Sequence, residues 1–291
     1  MEYIYHTIVM LNIYIILVLS LNIPTGLSNL MTLCQAAFYG IGAYIGALCL
    51  MQFNYSFLLI VAIVLLVNGL LSLLLSYSSI KLKGDYFVLA SLGFQMIVYT
   101  FLYNAIDITK GPYGISGIPS LRFFGVFSLT ATWQYAIVTL IAVLLVVYVF
   151  KRIKASPFGR VLVSMRSGEL PITALGRDTN RFKTWSFFFS SVFAGLAGVF
   201  YASYSSYIDP TGFTLDVSLF LISALFIGGI GNIKGPVLGA VFVVFLPEIL
   251  RFIGFPDSIG ASLRMVIYGV ALVAIIYYRP QGLLGERGTA R

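Results

Sequence analysis

Apolar runs of membrane-spanning length recur along almost the whole of this sequence, and that recurrence removes most folds from consideration. IYIILVLSLNI, FLLIVAIVLLV and YAIVTLIAVLLVVYVF are three of them, and none contains a charge. A helix needs roughly 20 predominantly apolar residues to cross the hydrocarbon of a bilayer. Within it, only helices and closed barrels satisfy every backbone polar group. With a mean hydropathy of +0.98 and 10% charged residues over 291 positions, no soluble core of this size would need or tolerate such a composition. The expected fold is all-α: a polytopic membrane helix bundle, one domain over residues 1–291 with no soluble domain attached.

The periodicity predicts helices near residues 7–23, 33–51, 55–77, 85–104, 133–150, 184–208, 217–233, 236–253 and 259–278. That is about nine spans, with eight or ten as the bounds, because the seventh and eighth are short and Gly/Pro-interrupted, as is the sequence around Pro24 and Gly26. Such segments are expected to be broken or re-entrant. No Lys or Arg precedes the first run and no small-residue cleavage pattern follows it, so it is expected to stay as the first helix. Nine spans with an inside C-terminus put 14 of the 18 basic residues on the cytoplasmic face, among them Lys81, Lys83, Lys234 and all those from Lys151 to Lys183. Lys110, Arg122, Arg251 and Arg264 fall outside. This is the positive-inside distribution, so the net charge of +8 reads as topology and not as a nucleic-acid surface. Trp133 and Trp185 are expected at helix starts, at headgroup level.

Glycine accounts for 28 residues and clusters in the spans. Gly42 and Gly46, Ala194 and Gly198, and Gly231, Gly235 and Gly239 repeat at four-residue spacing, with Gly228 just ahead of the last group. Small residues at that spacing let helices approach closely in lipid. Packing is the expected role of each pair, and a permeation path at the crossings is the sharper alternative. Pro236 is expected at the first position of a helix after a break near Gly231. Cys34 and Cys49 are 15 residues apart, about 22 Å along a helix, too far to be bridged.

An ion-coupled carrier keeps carboxylates or histidine within its spans. Here Asp85 sits at a helix start, where capping is its default role. Glu248 and Arg251 are spaced to pair on one helix face. His6, the one histidine, is terminal and expected to be solvated. There is no phosphate-loop signature, HExxH, metal-spaced Cys/His cluster or serine elbow, so neither a membrane enzyme nor an internal energy source is supported. A protein of this kind working against a gradient would draw its energy from a partner.

One polar segment interrupts the apolar sequence. Residues 151–183 form an expected cytoplasmic loop, too long for a mere connection in a compact bundle. Within it, SGELPITALG reads as a short helix: Ser167 as cap, Glu169 at the positive end of the dipole, Pro171 in the first turn and Gly176 closing it in a left-handed conformation. Leu170 and Ala174 would share a face. From pattern alone, insertion into a groove of another protein and a solvated connector touching headgroups are equally good readings.

Six stretches in order resemble the branched-chain amino acid permease family of ABC importers, in its LivM-like branch: LNIPTGLSNLMTLCQAAFYGIGAY, KLKGDYFVLASLGF, DITKGPYGISGIP, the long SPFGRVLVSMRSGELPITALGRDTNRFKTWSFFFSSVFAGLAGVFYA, IGGIGNIKGPVLGAVFVVFLPEILR and RPQGLL. The resemblance implies a multi-pass permease of the inner membrane with a cytoplasmic C-terminus. Its partners would be a second related permease, two cytoplasmic ATPase subunits that hold ATP and magnesium, and an extracytoplasmic solute-binding protein. It further implies that the 151–183 loop is the ATPase-coupling loop, with Glu169, Thr173, Ala174 and Gly176 at coupling positions. Ser167, Gly168, Leu170 and Pro171 depart from the family's acidic residues before that glutamate and small alanines after it, which leaves the docking detail open. Gly111, Gly114 and Gly117 fall in an extracytoplasmic loop that would receive the binding protein or gate the outer mouth; by themselves they also suit a compact turn. A urea or short-amide permease shares the same motifs. A stand-alone carrier or channel is the reading from another class.

Overall fold

A computed structural model describes residues 2–53, 56–79, 82, 84–123, 127–129 and 131–252, together with residues 263, 266, 267, 269, 270, 273, 274, 277, 278 and 282–284. The helices begin with α1 (Glu2–Leu21), α2 (Gln35–Phe53), α3 (Phe57–Ser79) and α4 (Asp85–Asn104); among the described residues, Glu2–Leu27, α3, α4, Thr132–Ala155 and Thr179–Ser205 are long and apolar enough to cross a membrane. A short α5 (Ile106–Thr109) follows, then α6 (Thr132–Ala155), α7 (Pro157–Met165), α8 (Leu170–Ala174), α9 (Thr179–Ser205), α10 (Leu215–Gly228) and α11 (Lys234–Phe252). Strand pieces are confined to β1 (Ile115–Ser116), β2 (Arg122–Phe123), β3 (Phe127–Ser128) and β4 (Tyr207–Ile208) among the described residues. The all-α membrane bundle is therefore as expected. Eight of the nine expected spans coincide with observed helices, and the ninth, 259–278, lies for the most part outside the described residues.

The centre of the bundle is α9. Its apolar window is 78% buried, against 22% for α4, and it packs along α2 and α3 and against α1. The α2/α9 crossing explains the four-residue glycine spacing. A Cβ on Gly42 would meet the backbone of Gly195, one on Gly46 would meet Val199, and one on Gly198 would meet the Tyr39 carbonyl and the Ala43 nitrogen. Backbone lies against backbone there, with no room for a side chain. Gly195 is the residue opposite Gly42, with Gly198 one turn on.

The first helix is broken where Pro24 and Gly26 predict it. Asn22–Leu27 widens into a π-helical turn and the chain then runs in irregular form to α2. Because α2 starts inside the bundle, its free N–H groups need partners that no water supplies. Ala36 N donates to Ser218 Oγ of α10 (3.0 Å), and Ala37 N to Gln95 Oε1 of α4 (2.7 Å). Gln35 in turn donates to Ser20 Oγ (2.6 Å) and accepts from Ser190 of α9 (3.1 Å). The second break, Gly229–Ile233, separates two short helices that fold back on each other. Cβ atoms on Gly228 and Gly239 would meet the backbones of Gly235 and Ala224.

Several sequence expectations shift. The break ends before Lys234, so Pro236 is the third residue of α11 and not the first, still within the turn where its missing N–H costs nothing. Trp133 lies at the start of α6, but α9 begins at Thr179, which places Trp185 in its second turn. Gly84, not Asp85, is the cap of α4; Asp85 is its first residue, placed for the dipole and not for a side-chain cap. Cys34 and Cys49 are both free. His6 is exposed but not merely solvated, since Nδ1 lies 2.7 Å from Tyr204 Oη. The side chains of Glu248 and Arg251 lie outside the described residues.

Candidate functional site

The polar segment is more helical than a loop. Helix α6 runs on to Ala155 and α9 starts at Thr179, which shortens the connection to residues 156–178. Ser156 Oγ caps α7 by accepting from Gly159 N (3.1 Å), with Pro157 at the first helical position. Phe158 of α7 stacks on Phe182 of α9 at 5.4 Å.

Helix α8 is a single turn, and its ends are made as the sequence suggests with one exception. The N-cap position is Glu169, without a side-chain capping bond, so Ser167 does not cap it. At the other end Gly176 has φ +74, its N–H donates to Thr173 O (2.9 Å), and Arg177 N reaches back to Ile172 O (3.2 Å). This pair of bonds is a Schellman motif, which needs the left-handed glycine. Ile172 is buried and anchors the turn, while Leu170 and Leu175 stand 83% and 81% exposed. Pro171, Thr173, Ala174 and Gly176 are exposed beside them. The expected face of Leu170 and Ala174 is therefore an outward apolar knob.

Glu169, with its side chain 45% exposed, also reaches back to the bundle. Its carboxylate takes a 2.5 Å ion pair from Lys183 Nζ of α9, whose side chain is 6% exposed. The pair lies in the wall of a cavity of about 310 Å³, shared with Asn29, Met31, Asp85 and Met165. The start of α4, the chain after the π turn and the α7–α8 segment thus meet at one end of the bundle.

The two helix breaks meet at this same end. Asn22 Nδ2 donates to Asn232 O (2.6 Å) and Asn22 Oδ1 accepts from Gly231 N (3.0 Å). Gly26 permits that approach, because a Cβ there would strike the Asn22 side chain. Gly231 O accepts from Lys154 Nζ at the end of α6 (2.8 Å), and Gly235 N donates to Asn232 Oδ1 (2.7 Å). The chain returns here once more. Leu283 N and Leu284 N donate to Ile227 O (3.0 Å) and Gly228 O (2.9 Å), capping α10, and Asn232 Nδ2 donates to Leu284 O. Residues 282–284 therefore share the end of the bundle that carries α7 and α8.

At the opposite end, Gly111, Gly114 and Gly117 all have positive φ, at +54, +68 and +74. They shape a loop whose β1 pairs antiparallel with β4, Ile115 opposite Ile208. Gly117 N also donates to Ser206 O (3.0 Å). A Cβ on Gly114 would meet the Ile208 carbonyl, whereas one on Gly117 would meet nothing within 4 Å.

Of the residues singled out from sequence, Glu169, Thr173, Ala174 and Gly176 come together on or beside α8, and Gly228, Gly231, Gly235 and Gly239 form the second break and its hairpin. The Gly111–Gly117 loop stands at the other end. Sequence reasoning missed Lys183, Ile172, Asn22 and Lys154. The signals were faint: an asparagine inside an apolar run, and two lysines already accounted for by topology.

The whole-chain pattern has known counterparts. The family model described as the permease component of branched-chain amino acid transport systems matches residues 3–276. The chain is 33% identical to the high-affinity branched-chain amino acid transport system permease protein LivM of Escherichia coli, over 94% of this chain and 68% of that protein. It is also 33% identical to the probable LivM of Methanocaldococcus jannaschii, over 72% of this chain and 62% of that one. The probable LivH of the same archaeon is 22% identical over 94% of this chain and 89% of its own length. No solved structure matches the chain. On sequence, spans and breaks together, the chain belongs to the permease component family of branched-chain amino acid transport systems, as a LivM-like multi-pass membrane permease.

Proposed function

We propose that this chain is one of two related permease subunits of an ATP-driven importer for branched-chain or other neutral amino acids, and that α8 is the element through which cytoplasmic ATPase subunits move it. The observation that carries the reading is the outward presentation of α8: Leu170 and Leu175 are almost fully exposed on a turn fixed from behind by Ile172 and by the Glu169–Lys183 pair. Apolar side chains held out on a polar, basic segment suit a groove on another protein. Likeness to both LivM and LivH proteins supports a sister permease as the second subunit.

In this reading ATP and magnesium belong to the partner subunits and supply the energy. This chain's own residues convert a push into a shift of the bundle. Leu170, Thr173, Ala174 and Leu175 take the contact, and Ile172 together with the Glu169–Lys183 pair passes it to α9, the helix around which α2 and α3 pack. Glu169 thereby acts within the chain, as a tether, and not as a contact to the ATPase. The eight basic residues from Lys151 to Lys183 support a cytoplasmic location for this end, and the docking of residues 282–284 at the same end supports the same side for them. The glycine loop of residues 111–117 is then extracytoplasmic, where a binding protein would deliver solute.

The test is co-purification. Leu170→Asp with Leu175→Asp should leave the chain inserted and folded while the ATPase subunits no longer co-purify with it. Undiminished co-purification and leucine uptake by the double variant would sink the coupling role.

A further inference from the structure

We propose that Asn22 is a positioning residue that fastens the π turn of the first helix to the break between α10 and α11, and that Lys154 carries displacement of the α7–α8 segment into that fastening. The proposal rests on the coupling role given to α8 above and names the path by which its motion enters the bundle.

Each break leaves backbone groups without the regular α-helical partners they would otherwise have. A hairpin can satisfy such groups from within, as Gly235 N does with Asn232 Oδ1. The Asn22 amide does something else, because its donor and its acceptor both go to the other break, 210 and 209 residues away in sequence. Asn22 is 0% exposed, so neither bond can be exchanged for one to solvent. The two breaks therefore shift together or lose a buried donor and a buried acceptor at once. π-helical turns occur often at functional sites, and this one presents the amide side chain from its first residue.

Gly231 is where the cytoplasmic segment enters. Its N–H is held by Asn22 and its carbonyl by Lys154. The Arg166 guanidinium fills the side where a Cβ would stand, Nη1 being 2.7 Å from that point. Lys154 precedes the turn from α6 into α7, and Gly159 is pressed against the Ile153 and Lys154 carbonyls. Arg166 follows the last residue of α7. Cations on either side of α7, Lys154 at the end of α6 and Arg166 after Met165, thus both lie against Gly231, and α7 itself packs against the π turn. A lysine placed only for membrane orientation would be left in solvent; this one binds a specific carbonyl. Side-chain hydrogen bonds of this kind can be remade with other partners, unlike the interlocked backbones of the α2/α9 crossing.

The experiment uses the chain co-expressed with its sister permease, ATPase subunits and solute-binding protein, reconstituted in proteoliposomes and supplied with radiolabelled leucine. Asn22→Asp keeps size and the acceptor for Gly231 N but removes the donor to Asn232 O. Lys154→Met removes the bond to Gly231 O. Both should leave assembly and ATP hydrolysis near the unmodified rate and lower leucine taken up per ATP hydrolysed by roughly two- to thirty-fold, with Lys154→Arg recovering part of the loss. An unchanged ratio would overturn the proposal. A parallel fall in uptake, hydrolysis and assembled complex would overturn it as well, since the joint would then only hold the bundle together. If ATPase subunits never associate with the unmodified chain, it is the coupling reading itself that fails.

Discussion

The two ends of this bundle are closed by different means. At the end of the glycine loop, backbone pairs with backbone: β1 on β4, Gly117 N on Ser206 O, with three glycines in left-handed conformations to make the turns. At the other end Leu283 N and Leu284 N pair with the last carbonyls of α10, and side chains add the further joints: Asn22 between two breaks, Lys154 on Gly231, Lys183 on Glu169. Backbone pairing fixes register and offers few alternatives. Side-chain bonds to backbone can break and re-form elsewhere with little cost to the helices that carry them. The fold thus places its adjustable connections at the end where the apolar knob of α8 stands exposed, and its fixed ones at the other.

Four variants break or sharpen that contrast. The largest effect is expected from Leu170→Asp with Leu175→Asp, which should cut leucine uptake by an order of magnitude or more while the melting temperature of the purified chain stays put. Gly198→Leu attacks the interlocked middle that both ends share. A side chain driven into the Tyr39 carbonyl and Ala43 nitrogen should destabilise by about 3 kcal/mol, read as a lower melting temperature and poor accumulation in the membrane. Gly114→Leu comes next. Its φ of +68 and the nearby Ile208 carbonyl should cost about 2 kcal/mol, and uptake should fall only in proportion to folded protein. If uptake falls further than folding does, that end moves too and the contrast fails. The smallest is Gly117→Ala, where only the left-handed backbone opposes a side chain; about 1 kcal/mol is expected, with uptake per folded chain unaltered.

What the sequence disclosed and what it withheld divide along local and distant causes. The spans were legible because lipid imposes a run length on each helix separately. The breaks were legible in NIPTG and GGIGNIKGP, and the end of α8 in Gly176, because turn chemistry acts within a few residues. Pairings were not. Nothing near Asn22 announces Asn232, and Glu169 reads as a dipole residue until α9 folds back to bring Lys183 beside it. Glycine spacing marked α2 and α9 as helices suited to close approach, but which residues face each other, Gly42 on Gly195 among them, could not be read, because the relative rotation of two helices is a property of neither alone. Lysines were the hardest to read: one count explained Lys154 and Lys183 as topology, and the same residues turned out to hold the two junctions.

The seal on α10 has a consequence for biogenesis. Asn232 donates to a carbonyl 52 positions downstream, so the second break cannot be completed while the ribosome is still making the intervening chain. At ordinary elongation rates that interval is roughly 3 to 10 s, during which the α10 carbonyls at the break lack their final partners. Whatever satisfies those carbonyls in that interval, whether insertion machinery or water at the membrane surface, must yield the site to Leu283 and Leu284 afterwards.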